Sequence, residues 1–358
     1  MSDKQEYLKK LDNLLEYVLK EDASDLHLGV GIYPTLRIDG NLVPLLSRDV
    51  LTLDDLNGMI YAILNERQVK EFESKGDVDF SLSTRNNLRF RAAAYKQQGR
   101  LALTLRTIPM RIRTIQELGL PPIAREFANF SQGFCLVVGP SGHGKSTTLA
   151  ALLDEINHTR SDHMVTIEDP IEYVFTQDKC IIDQREVGAD AESFSRALRS
   201  AFREDADIIM VGEMRDLETV RTAVTAAETG HLIFATLHTN DAAQTIDRIV
   251  DMFPAYQQNQ IRAQLASSLI GIISQRLIPR IDGGRVPAIE VLFATPAVKT
   301  LIRENKVHQL NLVIETGSDK GMISLNKSLA DLVRHRVISI ENAKLYSTDI
   351  SGLRSIIG

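Results

Sequence analysis

The run Gly139-Pro140-Ser141-Gly142-His143-Gly144-Lys145-Ser146-Thr147 fits the spacing G-x-x-x-x-G-K-[ST]. It follows the apolar stretch Phe134 to Val138 and opens a helical pattern near Lys145. The glycines let backbone N–H groups turn inward around phosphate oxygens, and a helix N-terminus adds a favourable dipole. Lys145 is expected on the β- and γ-phosphates and Ser146 on Mg²⁺, so the implied ligand is ATP with Mg²⁺. A glycine-rich turn without nucleotide is the bland alternative, and the strand before and helix after disfavour it. The position of His143 contributes mainly backbone.

Three further segments carry groups that phosphate chemistry needs. Ile208-Ile209-Met210-Val211-Gly212-Glu213 is an apolar strand ending in an acid. From the carboxyl end of a parallel strand, Glu213 is placed to hold Mg²⁺ or its water shell. Thr166-Ile167-Glu168-Asp169-Pro170-Ile171-Glu172 crowds carboxylates after another apolar strand. They divide between metal orientation and water activation, or cap a turn beside Pro170. Thr236-Leu237-His238-Thr239-Asn240 ends the next strand in polar groups suited to sensing a γ-phosphate, and His231 precedes that strand. A lone histidine is more often structural, so these two matter through their company.

The elements that position these groups fall into distinct patterns. Leu8, Leu11, Leu14, Leu15, Val18 and Leu19 repeat at helical intervals, and short strands are expected at Leu26 to Leu28 and Leu36 to Ile38, with Asp39-Gly40-Asn41 as a hairpin turn. A second helix is expected over roughly Leu53 to Glu73. Between Asp77 and Ile108, alternating runs separated by Arg85-Asn86-Asn87 and Gly99 predict antiparallel strands. Residues 1–108 thus read as a small α+β domain, and 109–122, rich in proline and arginine, as a linker. From 123 to 293 the runs Phe134 to Val138, Met164 to Ile167, Ile208 to Val211 and Leu232 to Leu237 alternate with helices, as in a doubly covered parallel sheet. Beyond Pro254 the chain reads as mostly helical, with Ile261, Leu265, Leu269, Ile272 and Ile273 on one face. Thr295-Pro296 opens a helix of a C-terminal region, 294–358.

Composition narrows the partners. A 358-residue chain of 39.9 kDa with 44% hydrophobic and 25% charged residues is long enough for two or three cores. The net charge of −6 disfavours a surface built to neutralise nucleic acid. No apolar run is long enough to span a bilayer and the first residues lead into an amphipathic helix, so a cytoplasmic protein is expected. Cys135 and Cys180, in separate apolar settings, read as reduced structural thiols.

Taken in order, the loop, the acidic segment, the strand-end glutamate and the histidine pair resemble the P-loop, acidic box, Walker B element and histidine box of the secretion ATPases. The runs IEDPIEY, QREVG, VGEMRDLET, AAETGH and ATLHTNDA resemble the type IV pilus retraction ATPases in particular. That resemblance implies a PAS-like first domain, a RecA-like second domain and a homohexameric ring. It implies Glu172 as general base, Glu213 as the Walker B acid, and His231 with His238 as the histidine-box pair. Arg91 of LRFRA and Arg106 of LRTIP resemble first-domain arginines that reach the γ-phosphate by domain closure; as bare residues they read as solvated strand positions. The helix from Ala297 resembles a retraction motif and keeps Leu301, Ile302, Arg303 and Glu304.

The expected function is a ring ATPase driving pilus retraction and twitching motility. It would work through an inner-membrane platform protein and the pilus assembly machinery, at the cytoplasmic face of the inner membrane. Alternatives are an accessory retraction ATPase, a RecA-like nucleic-acid motor and a non-catalytic nucleotide-binding scaffold; direct contact with nucleic acid is not expected.

Overall fold

The computed structural model describes residues 2–38, 40–84, 88–108 and 111–358. Asp39 of the expected turn, the Arg85-Asn86-Asn87 separator and Pro109–Met110 of the expected linker lie outside the described residues. The chain divides into two compact units, Met1–Arg111 and Ile112–Gly358.

In the first unit, α1 (Ser2–Lys20) is followed by β1 (Asp25–Gly29), β2 (Thr35–Ile38) and β3 (Asn41–Pro44). Helices α2 (Leu53–Ile63) and α3 (Glu66–Lys75) then lead to β4 (Asp77–Ser83), β5 (Arg89–Gln97) and β6 (Arg100–Ile108). The strands form a six-stranded sheet in the order β3-β2-β1-β6-β5-β4. Leu11, Leu15 and Val18 of α1 pack with Leu56, Met59 and Ile60 of α2 over Leu26, Leu103 and Leu105. The single helix expected from Leu53 to Glu73 is two helices. Asn65 starts the second by accepting from the N–H of Gln68, whose side chain returns a bond to the Asn65 N–H, and this reciprocal cap outweighs continuation.

The second unit opens with a 3₁₀ turn at Pro122–Asn129 and continues through β7 (Gly133–Val138), α4 (Lys145–Thr159), β8 (His163–Glu168), β9 (Ile181–Glu186), α5 (Phe194–Ala201) and β10 (Ile208–Val211). Next come α6 (Leu217–Glu228), β11 (Leu232–Leu237), α7 (Ala242–Asp251), α8 (Ala255–Ser268), β12 (Leu269–Pro279) and β13 (Arg285–Phe293). Helices α9 (Pro296–Arg303), α10 (Leu310–Thr316), α11 (Leu325–Arg334), α12 (Ile340–Tyr346) and α13 (Ile350–Ile357) complete it. Its sheet runs β13-β12-β7-β11-β10-β8-β9, parallel from β12 to β9, with β13 antiparallel at one edge. The fold is α/β with a mixed, mainly parallel sheet.

Every residue of β7, β10 and β11 is buried, as continuous apolar runs require between two helical layers. Phe134, Leu136 and Val138 face one core with Ile246, Ile261 and Leu265; Cys135 and Val137 face the other with Leu149, Leu152 and Ile156. Both cysteines are buried and free. Ile115 and Leu120, inside the expected linker, are buried in this second core.

The helical reading beyond Pro254 is corrected at Leu269. Helix α8 stops at Ser268, and Leu269, Ile272 and Ile273 belong to a strand paired with β7. Branched side chains suit that pleated, two-sided position. Gly271 lets the chain through: a Cβ there would lie 2.3 Å from the Leu292 carbonyl oxygen.

Candidate functional site

Parallel strands β7, β8, β10 and β11 end at one edge of the sheet, so the loops after them converge. Such an edge is where open α/β sheets bind ligands. The phosphate-loop pattern follows β7, the acidic segment β8, Glu213 β10 and His238 β11.

The loop from Gly139 to Gly144 is shaped by backbone that a side chain would not tolerate. Gly139 has φ 149° and Gly144 has φ 83°. A Cβ on Gly139 would lie 2.3 Å from the Gln275 carbonyl oxygen, and one on Gly144 2.8 Å from Gln275 Nε2. Gln275 braces the loop from β12, donating to the His143 carbonyl at 2.8 Å and accepting from Thr148 Oγ1 at 2.6 Å. His143 Nδ1 accepts from the Leu277 N–H at 3.0 Å. The ring is thus a structural acceptor, and burial with the nearby charges of Arg276, Arg285 and Lys145 lowers its pKa. Thr147 Oγ1 meets the Tyr173 hydroxyl at 2.8 Å.

Lys145 is buried, and its ammonium donates to the carbonyls of Gly139 (2.9 Å) and Pro140 (3.1 Å) and to His238 Nδ1 (3.2 Å). An ammonium offers no acceptor, so Nδ1 accepts and the imidazole proton sits on Nε2. Nε2 lies 3.2 Å from Glu213 Oε1, while Glu213 Oε2 takes Arg215 at 2.8 Å. Lys145, His238, Glu213 and Arg215 therefore form one chain of polar contacts joining the loops after β7, β11 and β10. Burial lowers the pKa of Lys145 against the pull of Glu213 and Glu172. Burial raises that of Glu213, but Arg215 and His238 outweigh it and hold the carboxyl below its ordinary value.

The two candidate bases differ in environment. Glu168 is buried, accepting from Thr166 Oγ1 (2.7 Å), Gln184 Nε2 (3.3 Å) and the Glu172 N–H (3.2 Å), and burial raises its pKa. Glu172 is exposed, and its charge acts on Lys145. Gln184 of β9 also pins the acidic segment by donating to the Tyr173 carbonyl and accepting from the Phe175 N–H.

Not every expected residue joins this cluster. His231 stands before β11 and His238 after it, so the six-residue strand, roughly 20 Å long, separates them. His231 Nδ1 lies 3.1 Å from the Ala226 carbonyl, and its ring packs on Phe202. Arg91 and Arg106 lie in the first unit as direct cross-strand neighbours. Arg106 Nε donates to the buried Asp25 at 2.8 Å, and Arg91 is exposed. In α9, Arg303 is exposed, as is Glu304 just past its end, whereas Ile302 is fully buried and Leu301 packs against the core.

Four contributors escape a motif reading: Arg215, Gln184, Gln275 and a cavity of about 240 Å³ beside the loop. Arg113, Leu118, Leu120, Thr147, Leu277 and Pro287 are among its walls. Arg215 and Gln184 stand inside the VGEMRDLET and QREVG runs, so a signal existed for them. Gln275 was hidden by the helical reading of its segment.

The family model described as "Type II/IV secretion system protein" matches residues 1–283. The "Type IV pilus retractation ATPase PilT" of Pseudomonas aeruginosa is 49% identical over 339 residues, covering 93% of this chain and 97% of that one. The "Twitching motility protein" of Neisseria gonorrhoeae is 45% identical, covering 87% and 83%. Among solved structures, the pilus retraction motor PilT with bound ADP superposes with a TM-score of 0.89 at 47% identity, covering 95% of this chain and 98% of that one. The chain belongs to the type II/IV secretion system protein family, and within it to the type IV pilus retraction ATPases.

Proposed function

We propose that this chain hydrolyses ATP to power type IV pilus retraction and twitching motility. The observation that carries the chemistry is the Lys145–His238–Glu213 chain at the edge where four loops meet. Phosphate oxygens bound in the loop take over the donors of Lys145 now spent on the Gly139 and Pro140 carbonyls. The cavity beside Thr147 takes the nucleoside end.

Glu172 accepts the proton of the attacking water, the new bond forms to the γ-phosphorus, and the bond to the bridging oxygen breaks to leave ADP. Its exposure supports this assignment over the enclosed Glu168. The Ser146 hydroxyl and the Glu213 carboxylate are the hard oxygen donors that would hold Mg²⁺. Among the described residues no group of three or more His, Cys, Asp or Glu forms an all-protein cage. When bound, the ion neutralises charge on the phosphates.

On this reading the second unit acts as a RecA-like motor domain and the first as a PAS-like domain. Arg91 and Arg106 are brought to the γ-phosphate by domain closure, and six copies form the ring. His231 acts in the assembled ring rather than in the cluster around Lys145. Arg303 and Glu304 offer an exposed surface for passing motion to a membrane platform protein, with Leu301 and Ile302 seating the helix beneath them. Among the described residues no helix is long and apolar enough to cross a membrane, which suits a peripheral place at the cytoplasmic face of the inner membrane.

Steady-state hydrolysis by purified variants tests the chemistry. Lys145→Ala is expected to abolish turnover. Glu172→Gln should bind MgATP normally and lose roughly 10²- to 10⁴-fold in kcat. The same loss in Glu168→Gln, with Glu172→Gln active, would move the base to Glu168. Deleting the gene tests direction: excess surface pili with lost twitching supports retraction, and bald cells refute it.

A further inference from the structure

Two strands without a nucleotide motif hold the loop that carries His238. Ser274 of β12 and Glu290 of β13 are opposite each other in register, and both are buried. Ser274 Oγ donates to the Asn240 carbonyl at 2.8 Å. Glu290 Oε1 accepts from the N–H of Ala242, the first residue of α7, at 2.9 Å.

The segment between these anchors is closed on itself. The Asn240 N–H donates to Gln244 Oε1 at 2.7 Å, Asp241 Oδ1 accepts from the Gln244 N–H at 2.7 Å, and the Thr239 and Thr245 hydroxyls meet at 2.7 Å. Residues 239–245 therefore behave as one stiff corner. The cross-strand pair fixes that corner to the sheet, and His238 leaves it directly.

A carboxyl at position 290 is costly, because a buried acid beside Asp241 is disfavoured by both burial and like charge, and the Ala242 N–H and Arg276 offset this only in part. An apolar side chain would fill the space without that cost, but it would leave the Ala242 N–H without an acceptor.

We propose that Glu290 is a positioning residue for the hydrolytic site: by tying the first turn of α7 to β13, it holds His238 in its bridge between Lys145 and Glu213. This rests on the reading of His238 as part of the phosphate-side machinery. Glu290 stands across β12 from β7, and its carboxyl is bonded to the first residue of α7 rather than to the loop after β7, so it acts on turnover rather than on nucleotide affinity.

The test is steady-state ATPase activity and ADP binding of the full-length protein in Glu290→Ala, Glu290→Gln, Ser274→Ala, His238→Ala and the Glu290→Ala, His238→Ala double variant. Glu290→Ala should lower kcat roughly tenfold, about the worth of one buried hydrogen bond, with KM for ATP within about twofold. Glu290→Gln should recover most of kcat, since its amide oxygen still accepts from Ala242. Ser274→Ala should move kcat in the same direction by less. Added to His238→Ala, Glu290→Ala should cost less than about twofold more, because residues acting through one group are not additive.

Wild-type kcat in Glu290→Ala overturns the proposal. So do losses that multiply in the double variant, and so does a Glu290→Gln protein that fails together with loss of ADP binding. A His238→Ala protein with unchanged kcat overturns the reading of His238 itself, a result distinct from the multiplying losses that remove Glu290 alone.

Discussion

Replacing Glu290 by glutamine should stabilise the folded chain in a strongly pH-dependent way. Burial, with Asp241 nearby, pushes the Glu290 carboxyl from 4.5 up to about 7. Folded protein therefore binds this proton more tightly than unfolded protein. The contribution of Glu290 is fully present below pH 4.5 and is lost as pH rises to 7. Glutamine keeps an acceptor for the Ala242 N–H and never ionises. Relative to wild type it should gain at most about 1 kcal/mol from this source at pH 5 and about 3 kcal/mol at pH 8, a difference of roughly 2 kcal/mol. Any fixed effect of the swap cancels in that difference. Urea unfolding followed by circular dichroism at both pH values should show the variant's midpoint advantage growing by roughly 1 M. An advantage that is equal at pH 5 and pH 8 would refute the argument that ionised Glu290 is held at a cost.

Three other substitutions bear on parts of the proposed motor outside the cluster around Lys145. Arg91→Ala should lower kcat by roughly 10³-fold with ATP affinity little changed, and lysine should rescue poorly for want of a planar two-donor fork; wild-type kcat would remove Arg91 from the mechanism. Arg91 is the cleaner probe, because Arg106→Ala also strips a partner from buried Asp25. In α9, Ile302→Ser should destabilise by roughly 2 to 5 kcal/mol and impair every activity, since Ile302 is fully buried. Arg303→Ala, on the exposed face, should leave ATPase activity within about twofold and impair twitching in complemented cells. Normal twitching would sink the coupling role of that position.

The turn from Gly139 to Gly144 between β7 and α4 could be read directly because the shape expected of it is local: consecutive backbone N–H groups need consecutive residues. The strands feeding the site were equally legible as fully apolar runs. What stayed hidden depends on partners far along the chain. The segment from Ile261 to Ile273 fits a helical stripe as well as two elements, and only pairing with β7 decides that Leu269 starts a strand. Asn65 marks a cap only once Gln68 is seen to answer it. His231 and His238 look like a pair in the sequence, yet an extended strand carries one to each end of the sheet.

The misread hairpin of β12 and β13 turns out to be where the loops after β7 and β11 meet the C-terminal helices. Strand alternation explains how. Gln275 turns toward α4 and grips Thr148 and the His143 carbonyl, while its neighbours Ser274 and Arg276 turn the other way. Ser274 holds the Asn240 carbonyl, and Arg276 Nη1 donates to the Tyr346 carbonyl at the end of α12, at 2.8 Å. The preceding helix, α11, is tied by its Ser328 hydroxyl, which accepts from the Ile289 N–H of β13. Three successive residues of one strand thus fix the phosphate loop, the His238 corner and a C-terminal helix. A shift of β12 by a single register position would exchange their faces and break all three sets of bonds. The hairpin is thereby bonded at once to the loop after β7, to the corner after β11 and to a C-terminal helix, so on the proposed reading a displacement at that loop is passed to the helix through β12.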